Sequence, residues 1–395
     1  MALDGLKVID ASSHAAGPLV ATFLADFGAD VIKVEHPQGD SLRTLGWQKD
    51  GTSLWWYHVN RNKRCITLNL SLPRGQELFK ELVSDADVVI ENFRTGTLER
   101  WGIGYDTLSA LNPRLILLCV TGFGQTGPYR SRPGFGTVAE SMSGFAHLTG
   151  QPDGPPTLPS FALGDSVCAL VGTYATMFAL YHRDIKGAGE GQVIDLALYE
   201  GLFSILGPQA LLFDQLGIEL GRTGSRMPFA APRNVYRAKD GRWLGLAAGS
   251  QASANRVMFA IGRDDVTREP WFQSMPGRLA NQDELDAIIG AWIAEHTAEE
   301  VIEAFAQFEG VVAPIYTIAD TFADPQFQAR QNIVAIDDPH LGTAHTQNVA
   351  PRMSKTPGRL RHLGADLGAH NHEIYVEQLG YAEADLAAWK TEGVI

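Results

Sequence analysis

One carboxylate, Asp165, is the main candidate for covalent chemistry in this sequence. It follows Gly164 and precedes an apolar run that extends to about Arg183 and predicts a helix. An aspartate at the start of a helix is commonly an N-cap, whose oxygen accepts the free backbone N–H groups. A carboxylate can instead attack a carbonyl that is already activated, as a thioester is. The stretch by itself leaves both interpretations open.

The other residue types that usually carry catalysis form no recognisable set. The sequence has no Ser-His-Asp arrangement, no His-x-x-His metal spacing and no Gly-Lys-Ser/Thr phosphate loop, so no metal site is expected. The turn Ala15–Pro18 lacks the G-x-G-x-x-G pattern, which argues against a dinucleotide bound in the usual way. Four isolated histidines are interpreted as packed or surface residues: His14, His58, His147 and His182.

The elements that must position Asp165 alternate regularly over the first 120 residues. Short β-branched runs such as "LKVIDAS", "ADVIKVEHP" and "DVVIENF" alternate with helical runs such as "GPLVATFLADFG". This alternation is typical of βαβ units and predicts an α/β fold with a parallel sheet, which binds its ligand at the carboxyl ends of the strands. The later run "VIDLALYEGLFSIL" predicts a sixth strand followed by a helix.

Cationic side chains recur near the predicted strand ends. Taken singly, each is most simply a solvated surface residue. Because the whole chain carries a formal charge of −13, cations gathered at one rim indicate a small polyanionic ligand. Guanidinium groups suit phosphates, and Phe93 offers a flat surface for a purine. The cations are His36, Arg43, Arg61, Lys63, Arg64, Arg94, Arg100, Arg130 and Arg132.

Composition limits the class of protein. A chain of 395 residues with 45% hydrophobic content exceeds a typical single core, so two domains are expected. The acidic balance, with a pI of about 5.3, argues against non-specific nucleic-acid binding. Cys65, Cys119 and Cys168 are too widely spaced for a disulfide framework and suggest a reducing compartment. Neither a signal segment nor a membrane span is predicted, and we expect a cytoplasmic protein.

The pattern changes near residue 222. "NVYRAKDGRWLGLAAGS" predicts a hairpin that turns at Asp240–Gly241, and two helical runs follow it. These elements predict a smaller α/β domain. In the tail, "LGAHNHEIYVEQLGY" predicts a helix that could dock on the first domain.

Six ordered segments resemble the family III CoA-transferases and cover nearly the whole chain. The resemblance implies a large Rossmann-like domain formed by residues 1–205 and 335–395, a small α/β domain at 222–325, and linkers at 206–221 and 326–334. It also implies a homodimer whose subunits interlock as two threaded rings. The segments begin "GLKVIDASSHAAGPL", "NRNKRCITLNL", "DVVIENFRTGTLERWG", "TGFGQTGPYRSRPGFG", "FALGDSVCALVGTYA" and "PRNVYRAKDGRWLG".

The resemblance also implies site residues. The nucleophile of the family is the Asp of a Gly-Asp pair, which is Asp165 in this sequence. Gly249 and Ser250 belong to the loop "AAGSQ", the expected flap over the substrate, and either they or the backbone around Ser166 would hold an oxyanion. The expected CoA contacts are Ala15, Ala16, His36, Leu68, Asn69, Leu70, Ser71, Asn92, Phe93, Arg94, Arg100, Arg132, Pro133, Gly134 and Phe135.

Three departures from family patterns bear on this expectation. Formyl-CoA transferases carry Arg at the position of His36 and a run of glycines at "AAGSQ". The related 2-methylacyl-CoA racemases place His-Asp where this chain has Phe135 and Gly136, so the racemase base is missing.

The expected activity is transfer of CoA from an acyl-CoA thioester to a free carboxylic acid, through an aspartyl mixed anhydride and an aspartyl-CoA thioester. Coenzyme A is then a substrate, and no tightly bound cofactor is expected. The alternatives are a 2-methylacyl-CoA racemase-type isomerase and a non-catalytic acyl-CoA-binding protein. Arg222, Arg226 and Arg233 lie near the predicted domain junction, where a dicarboxylic substrate or inter-domain salt bridges would explain them about equally well.

Overall fold

The computed structural model describes residues 1–395, which divide into two compact units. The large unit comprises Met1–Phe145, Leu158–Gln209 and Ala329–Ile395, and the small unit comprises Ala146–Thr157 and Ala210–Gln328.

The segment 146–157, predicted to lie in the large domain, belongs to the small unit. The reason is local hydrogen bonding, because the Gly224 amide donates to the Gly150 carbonyl at 2.9 Å and the Arg222 Nε donates to the Gly154 carbonyl at 3.1 Å. The predicted linker at 206–221 contains the helix Gln209–Leu216.

Six parallel strands form the main sheet, in the order β5-β2-β1-β6-β7-β8. Its strand order reverses between β1 and β6, and in such sheets the ligand crevice lies at the carboxyl ends of that pair. The strands of the chain are β1 (Lys7–Asp10), β2 (Asp30–Glu35), β3 (Gln48–Lys49), β4 (Thr52–Ser53), β5 (Arg64–Thr67), β6 (Val88–Glu91), β7 (Ile116–Thr121), β8 (Val193–Ala197), β9 (Arg233–Arg237), β10 (Trp243–Ala247), β11 (Val312–Pro314), β12 (Ile333–Asp338) and β13 (Gly342–Gln347).

The central strands of this sheet are buried on both faces, as the predicted parallel arrangement requires. In β1, Val8 points to one apolar cluster and Ile9 to the other, and both side chains are almost fully buried. The helix Ala16–Asp26 covers the first face and Pro73–Val83 covers the second.

Helices connect most of these strands along the chain, and one helix follows the last strand. The α-helices are Ala16–Asp26, Leu54–Val59, Pro73–Val83, Thr97–Arg100, Tyr105–Leu111, Gly136–Met142, Phe145–Leu148, Leu163–Leu180, Leu198–Ile205, Gln209–Leu216, Gln251–Ala260, Met275–Ala280, Gln282–Ala294, Ala298–Gln307, Ile318–Ala323, Pro325–Ala329 and Glu383–Thr391. Short 3₁₀ turns occupy Ser41–Thr44 and Val266–Arg268, and π-helical turns occupy Tyr181–Ile185 and Glu373–Gln378.

The C-terminal segment of the chain is part of the large unit and packs beside β5. The Tyr375 hydroxyl donates to the Thr67 carbonyl at 2.8 Å, and the Asn69 amide donates to the Val394 carbonyl at 2.7 Å. Both chain ends therefore build the large unit.

The small unit is centred on a three-stranded antiparallel sheet in the order β11-β10-β9. The predicted hairpin is present, and Gly241 adopts a φ of +85° in its turn. Residues such as Leu244, Phe272 and Phe305 form its separate, fully buried core.

One helical segment, Leu163–Ile185, is long and apolar enough to cross a membrane by length and composition. It packs against Ala16–Asp26 and β7 in the large unit, and 39% of its most apolar window is buried. A helix inside a protein core meets the same criteria, so the observation is weak evidence for a span.

Candidate active site

Asp165 lies in the first turn of the helix Leu163–Leu180, which we call the Asp165 helix. The N-cap residue is Ala162, whose side chain makes no cap hydrogen bond. The N-cap interpretation of Asp165 is therefore wrong, and its carboxylate forms no ion pair. Its position leaves an unpaired anion at the amino end of a helix that borders the ligand crevice.

Glycines let the Asp165 helix approach the helix Gly136–Met142, which we call the Glu140 helix. A Cβ on Gly136 would overlap the Asp165 Oδ2, and a Cβ on Gly164 would lie 2.8 Å from the Gly136 carbonyl oxygen. The first turns of the two helices therefore touch without intervening side chains.

Glu140, on the second turn of the Glu140 helix, is buried with 5% of its surface exposed. Its Oε1 accepts the Gly164 amide proton at 3.1 Å. Burial, and then the nearby Glu140 charge, raise the pKa of Asp165 to about 6, while His14 acts in the opposite direction. Asp165 is thus a carboxylate of raised basicity.

A cavity of about 260 Å³, which we call the reaction cavity, includes Asp165 in its lining. Three guanidinium groups also line it, and none of them forms an ion pair within the protein: Arg94, Arg130 and Arg132. Of the predicted site residues, the reaction cavity brings together Ala15, Ala16, Asn92, Phe93, Arg94, Arg132, Pro133, Gly134, Phe135 and Asp165.

A second cavity of about 240 Å³, which we call the strand-end cavity, follows β1, β2 and β5. Phe93 and Trp101 form part of its wall, with their rings in edge contact at a centroid distance of 5.1 Å. Its predicted residues are His36, Leu68, Asn69, Leu70, Ser71 and Phe93.

The loops after β1 and β6 are held together by Asn92. Its Oδ1 accepts the Ser13 amide proton at 2.8 Å, and its Nδ2 donates to the Ser13 carbonyl at 2.7 Å. Glu91, at the end of β6, accepts the Phe93 amide proton at 2.8 Å, and burial raises the pKa of Glu91 to about 7. These contacts fix the walls that the two cavities share.

Buried charges below the strand-end cavity anchor the loop that follows β1. Lys63 Nζ donates to Asp10 at 2.9 Å, and Lys33 Nζ donates to the Ser12 carbonyl. Burial alone would raise the pKa of Asp10, but the two lysines hold it below its usual value. The lysines therefore serve the interior of the fold rather than a ligand.

Several predicted rim cations have partners within the protein. Arg61 pairs with Asp26 at 2.7 Å, and Arg64 pairs with Asp30 at 2.6 Å. Arg43 pairs with Glu35 at 2.7 Å. Residues 61–63 precede β5 and Arg64 begins it, so the cluster lies at the opposite end of the strand from the predicted rim.

Four residues that the sequence analysis singled out do not line either cavity. The Arg100 side chain donates to the Thr97 hydroxyl at 2.8 Å. Gly249 and Ser250 lie in the small unit, where Ser250 caps the helix Gln251–Ala260. The Ser166 amide donates to the Ala162 carbonyl at 3.0 Å, so the helix already uses this expected oxyanion donor.

The arginines near the predicted domain junction are used inside the small unit. Arg226 pairs with Asp286 at 2.7 Å, so its positive charge is neutralised within the small unit. Arg222 donates to the Gly154 carbonyl, and Arg233 donates to the Ser225 carbonyl at 3.1 Å. Arg226 is thus not an unpaired cation for a substrate.

Sequence reasoning missed His14 and Glu140. His14 lines the reaction cavity in a left-handed conformation with a φ of +63°, and its ring contacts Phe135 edge-on. Neither the backbone turn nor the helix crossing leaves a local sequence signal, so His14 read as an isolated histidine.

Comparison with known proteins gives the family. The sequence profile of CoA-transferase family III matches residues 3–371. The chain belongs to CoA-transferase family III, and it is a transferase that uses CoA thioesters as substrates.

The chain is similar over all or nearly all of its length to several CoA-transferases. It is 41% identical over 395 residues to the succinyl-CoA–D-citramalate CoA-transferase of Chloroflexus aurantiacus, with 100% of this chain and 98% of that protein aligned. Over 398 residues it is 42% identical to the beta subunit of succinyl-CoA–L-malate CoA-transferase of the same organism, with 100% and 98% aligned. It is 34% identical to the succinate–glutarate CoA-transferase of Agrobacterium fabrum, with 95% of each chain aligned.

Solved structures agree with the fold. The chain is similar to the crystal structure of a CAIB/BAIF family protein from Brucella suis, with a TM-score of 0.83, 34% identity, and 95% of this chain and 98% of that chain covered. The α/β fold with a large parallel sheet is confirmed.

Proposed function

We propose that this protein transfers CoA between two dicarboxylic acids, with Asp165 as the covalent nucleophile. The observation that carries the proposal is the unpaired Asp165 carboxylate, which shares a cavity with the unpaired guanidinium groups of Arg94, Arg130 and Arg132. A nucleophilic anion beside cations fits a substrate that is an electrophilic thioester with negative groups on either side.

In the first half-reaction, an Asp165 oxygen bonds to the thioester carbonyl carbon and the C–S bond breaks, its electron pair leaving on the CoA thiolate. The thiolate then attacks the Asp165 carbonyl carbon of the mixed anhydride. The anhydride C–O bond breaks, and the donor acid leaves as a carboxylate. The aspartyl-CoA thioester passes CoA to the acceptor by the same steps in reverse, so no net proton is consumed.

In this proposal, coenzyme A occupies the two cavities as one elongated ligand, since their walls share Ser13 and Phe93. In this proposal the adenine occupies the strand-end cavity, against Phe93 and the apolar side chains of Leu68 and Leu70. The thioester end reaches Asp165 in the reaction cavity, where the arginines bind phosphate or carboxylate oxygens.

The acid substrates are proposed to be dicarboxylic. The names of the three relatives specify citramalate, malate, succinate and glutarate, all of which carry two carboxylates. The free carboxylate needs a cationic partner in this chain, and His14 and Arg130 line the same cavity as Asp165.

Isomerisation is disfavoured at this site. A racemase-type reaction needs a proton acceptor close to the acyl chain, and the positions that carry it in racemases hold Phe135 and Gly136 here. No side chain can be added at Gly136 without displacing Asp165.

Three further features belong to this proposal. Gly249 and Ser250 act as a loop over the substrate, the protein functions as an interlocked homodimer, and it works in the cytoplasm. The free cysteines Cys65, Cys119 and Cys168 are all buried, which suits a reducing compartment.

The test is an assay of CoA transfer from succinyl-CoA to malate, citramalate or glutarate, with butyrate as the monocarboxylic comparison. The parent should prefer the dicarboxylates, and Asp165→Asn should lower the turnover by about a thousandfold or more because the covalent route is deleted. Asp153→Asn, an exposed aspartate in the small unit, is the matched control and should retain activity.

Two results would contradict the proposal. Full transfer by a well-folded Asp165→Asn protein would show that Asp165 is not the nucleophile, and a preference for butyrate would contradict the dicarboxylate assignment.

Hydroxylamine added during turnover should trap the aspartyl thioester as a hydroxamate on the peptide that contains Asp165, which mass spectrometry would detect.

A further inference from the structure

The Glu140 carboxylate is buried without a cation. It has 5% of its surface exposed and forms no ion pair, and its one hydrogen bond is the acceptance of the Gly164 amide proton at 3.1 Å. A buried charge that lacks a counter-ion is costly, because burial removes its hydration. Such an arrangement calls for an explanation in terms of function.

The position of Glu140 ties it to the nucleophile. Gly164, whose amide it binds, directly precedes Asp165, and the Glu140 helix touches the first turn of the Asp165 helix at Gly136. The hydrogen bond therefore fixes the backbone that carries the reacting carboxylate.

The charged and titratable groups around Asp165 come from several elements. Glu140 and His14 act on its carboxylate, the first from the Glu140 helix and the second from the loop after β1. Cys168 lies one turn further along the same helix, and Glu200 of the helix Leu198–Ile205 acts on Cys168. The guanidinium groups that line the same cavity belong to Arg94, Arg130 and Arg132.

We propose that Glu140 is a positioning residue for the acyl transfer, which holds the first turn of the Asp165 helix and sets a second negative charge against the nucleophile. This inference rests on the proposed role of Asp165. The like charge disfavours the free carboxylate of Asp165 relative to its acylated form, which is neutral. Forming the anhydride relieves the repulsion, and the electron pair of the broken C–S bond leaves on the CoA thiolate. When the thiolate then forms the aspartyl-CoA thioester, Asp165 stays neutral and the electron pair of the broken C–O bond leaves on the donor carboxylate.

The decisive variant is Glu140→Gln, because the glutamine oxygen can still accept the Gly164 amide proton while the charge is lost. In ¹³C-aspartate NMR, with the Asp165 signal assigned by its loss in Asp165→Asn, the parent carboxyl should titrate near pH 6. In Glu140→Gln the midpoint should move to lower pH. The acidic limb of the transfer rate should move with it, and kcat/KM at pH 7.5 should fall by about tenfold.

Glu200→Gln is the matched control, since Glu200 also accepts a backbone amide proton, from Ala197 at 3.0 Å, and its charge does not act directly on Asp165. It should leave the midpoint and the rate unchanged. Glu140→Ala loses both the charge and the hydrogen bond, so it should lower the rate further than Glu140→Gln.

An unchanged midpoint in Glu140→Gln would overturn the proposal, whatever the rate. Wild-type transfer by Glu140→Gln with a shifted midpoint would also overturn it, because the charge would then not serve the reaction. The NMR titration needs no turnover, so the absence of transfer in the parent would count against the proposed function alone.

Discussion

Asp165 has an unusual effect on stability for an aspartate in the first turn of a helix. Such a residue normally stabilises the helix through its dipole, and its folded-state pKa falls. Here burial raises the pKa of Asp165 to about 6 from 3.8. The folded state then binds the proton more tightly than the unfolded state does, so the ionised carboxylate destabilises the protein above about pH 6 and has no such effect below pH 3.8.

Asp165→Asn should therefore stabilise the protein at pH 7.5, by on the order of 1–2 kcal/mol after solvent screening is considered. The gain should shrink as the pH falls towards 4, because the parent carboxyl becomes protonated. Thermal unfolding at several pH values measures it.

Asp184 offers a control of opposite sign, since its pKa is lowered by the Arg183 hydrogen bond. Asp184→Asn should lose stability at pH 7.5. A loss in Asp165→Asn at that pH would show that its carboxylate stabilises the fold.

At the residue scale, the sequence identified Asp165 as a candidate nucleophile. The alternative interpretation, in which Asp165 is the N-cap of its helix, is wrong because Ala162 is the N-cap. The residues that surround it were harder to find. His14 and Glu140 reach the site through a left-handed turn and a helix crossing, and both depend on contacts between residues distant in sequence.

At the scale of secondary-structure elements, the position of the Asp165 carboxylate depends on the close crossing of the Asp165 helix and the Glu140 helix. Gly136→Ala should displace the Asp165 carboxylate, because the added Cβ would overlap its Oδ2. We expect transfer to fall by about a hundredfold, the scale set by a small misplacement of a reacting group. CoA affinity measured by calorimetry should persist, since Gly136 does not line either cavity.

Gly290→Ala is the control for this prediction. Gly290 also lies inside a helix, Gln282–Ala294, but an added Cβ would meet Tyr236 only at an ordinary contact distance of 3.5 Å. That change should keep activity and raise helix stability slightly. Full transfer by Gly136→Ala would show that the close crossing is dispensable.

At the element scale, the six strands of the main sheet follow the predicted alternation closely, since buried β-branched runs carry a strong signal. The course of 146–157 was not predicted. It joins the small unit through backbone hydrogen bonds, such as that from Gly224 to Gly150, which have no side-chain signature.

An exposed apolar row on the large unit supports the proposed homodimer. Tyr174, Phe178, Tyr181 and Ile185 follow the Asp165 helix and its continuation, and Phe178 is 67% exposed. Side chains of this kind are commonly covered by a partner. Sedimentation at micromolar concentration should give about twice the chain mass of 42.9 kDa.

If the two subunits interlock, the rate of subunit exchange should also be affected. Dimers that carry two different tags should exchange subunits only after denaturant is added, because threaded chains cannot separate while folded. Phe178→Glu should reduce dimer formation during refolding, whereas Leu111→Glu, at an exposed position outside this row, should not. A compact monomer, or rapid exchange of tags, would contradict the proposal.

The two cavities share only Ser13 and Phe93 in their walls. Substitutions around Asp165 can therefore accumulate without touching the strand-end cavity. Evolution could therefore change the acid substrate of such an enzyme one mutation at a time while the enzyme keeps coenzyme A as its substrate. Each intermediate sequence would retain the strand-end cavity that is proposed to bind the adenine. For protein engineers the same separation marks Arg130 and Phe135, which line only the reaction cavity, as positions to randomise, with the loop Leu68–Ser71 left intact.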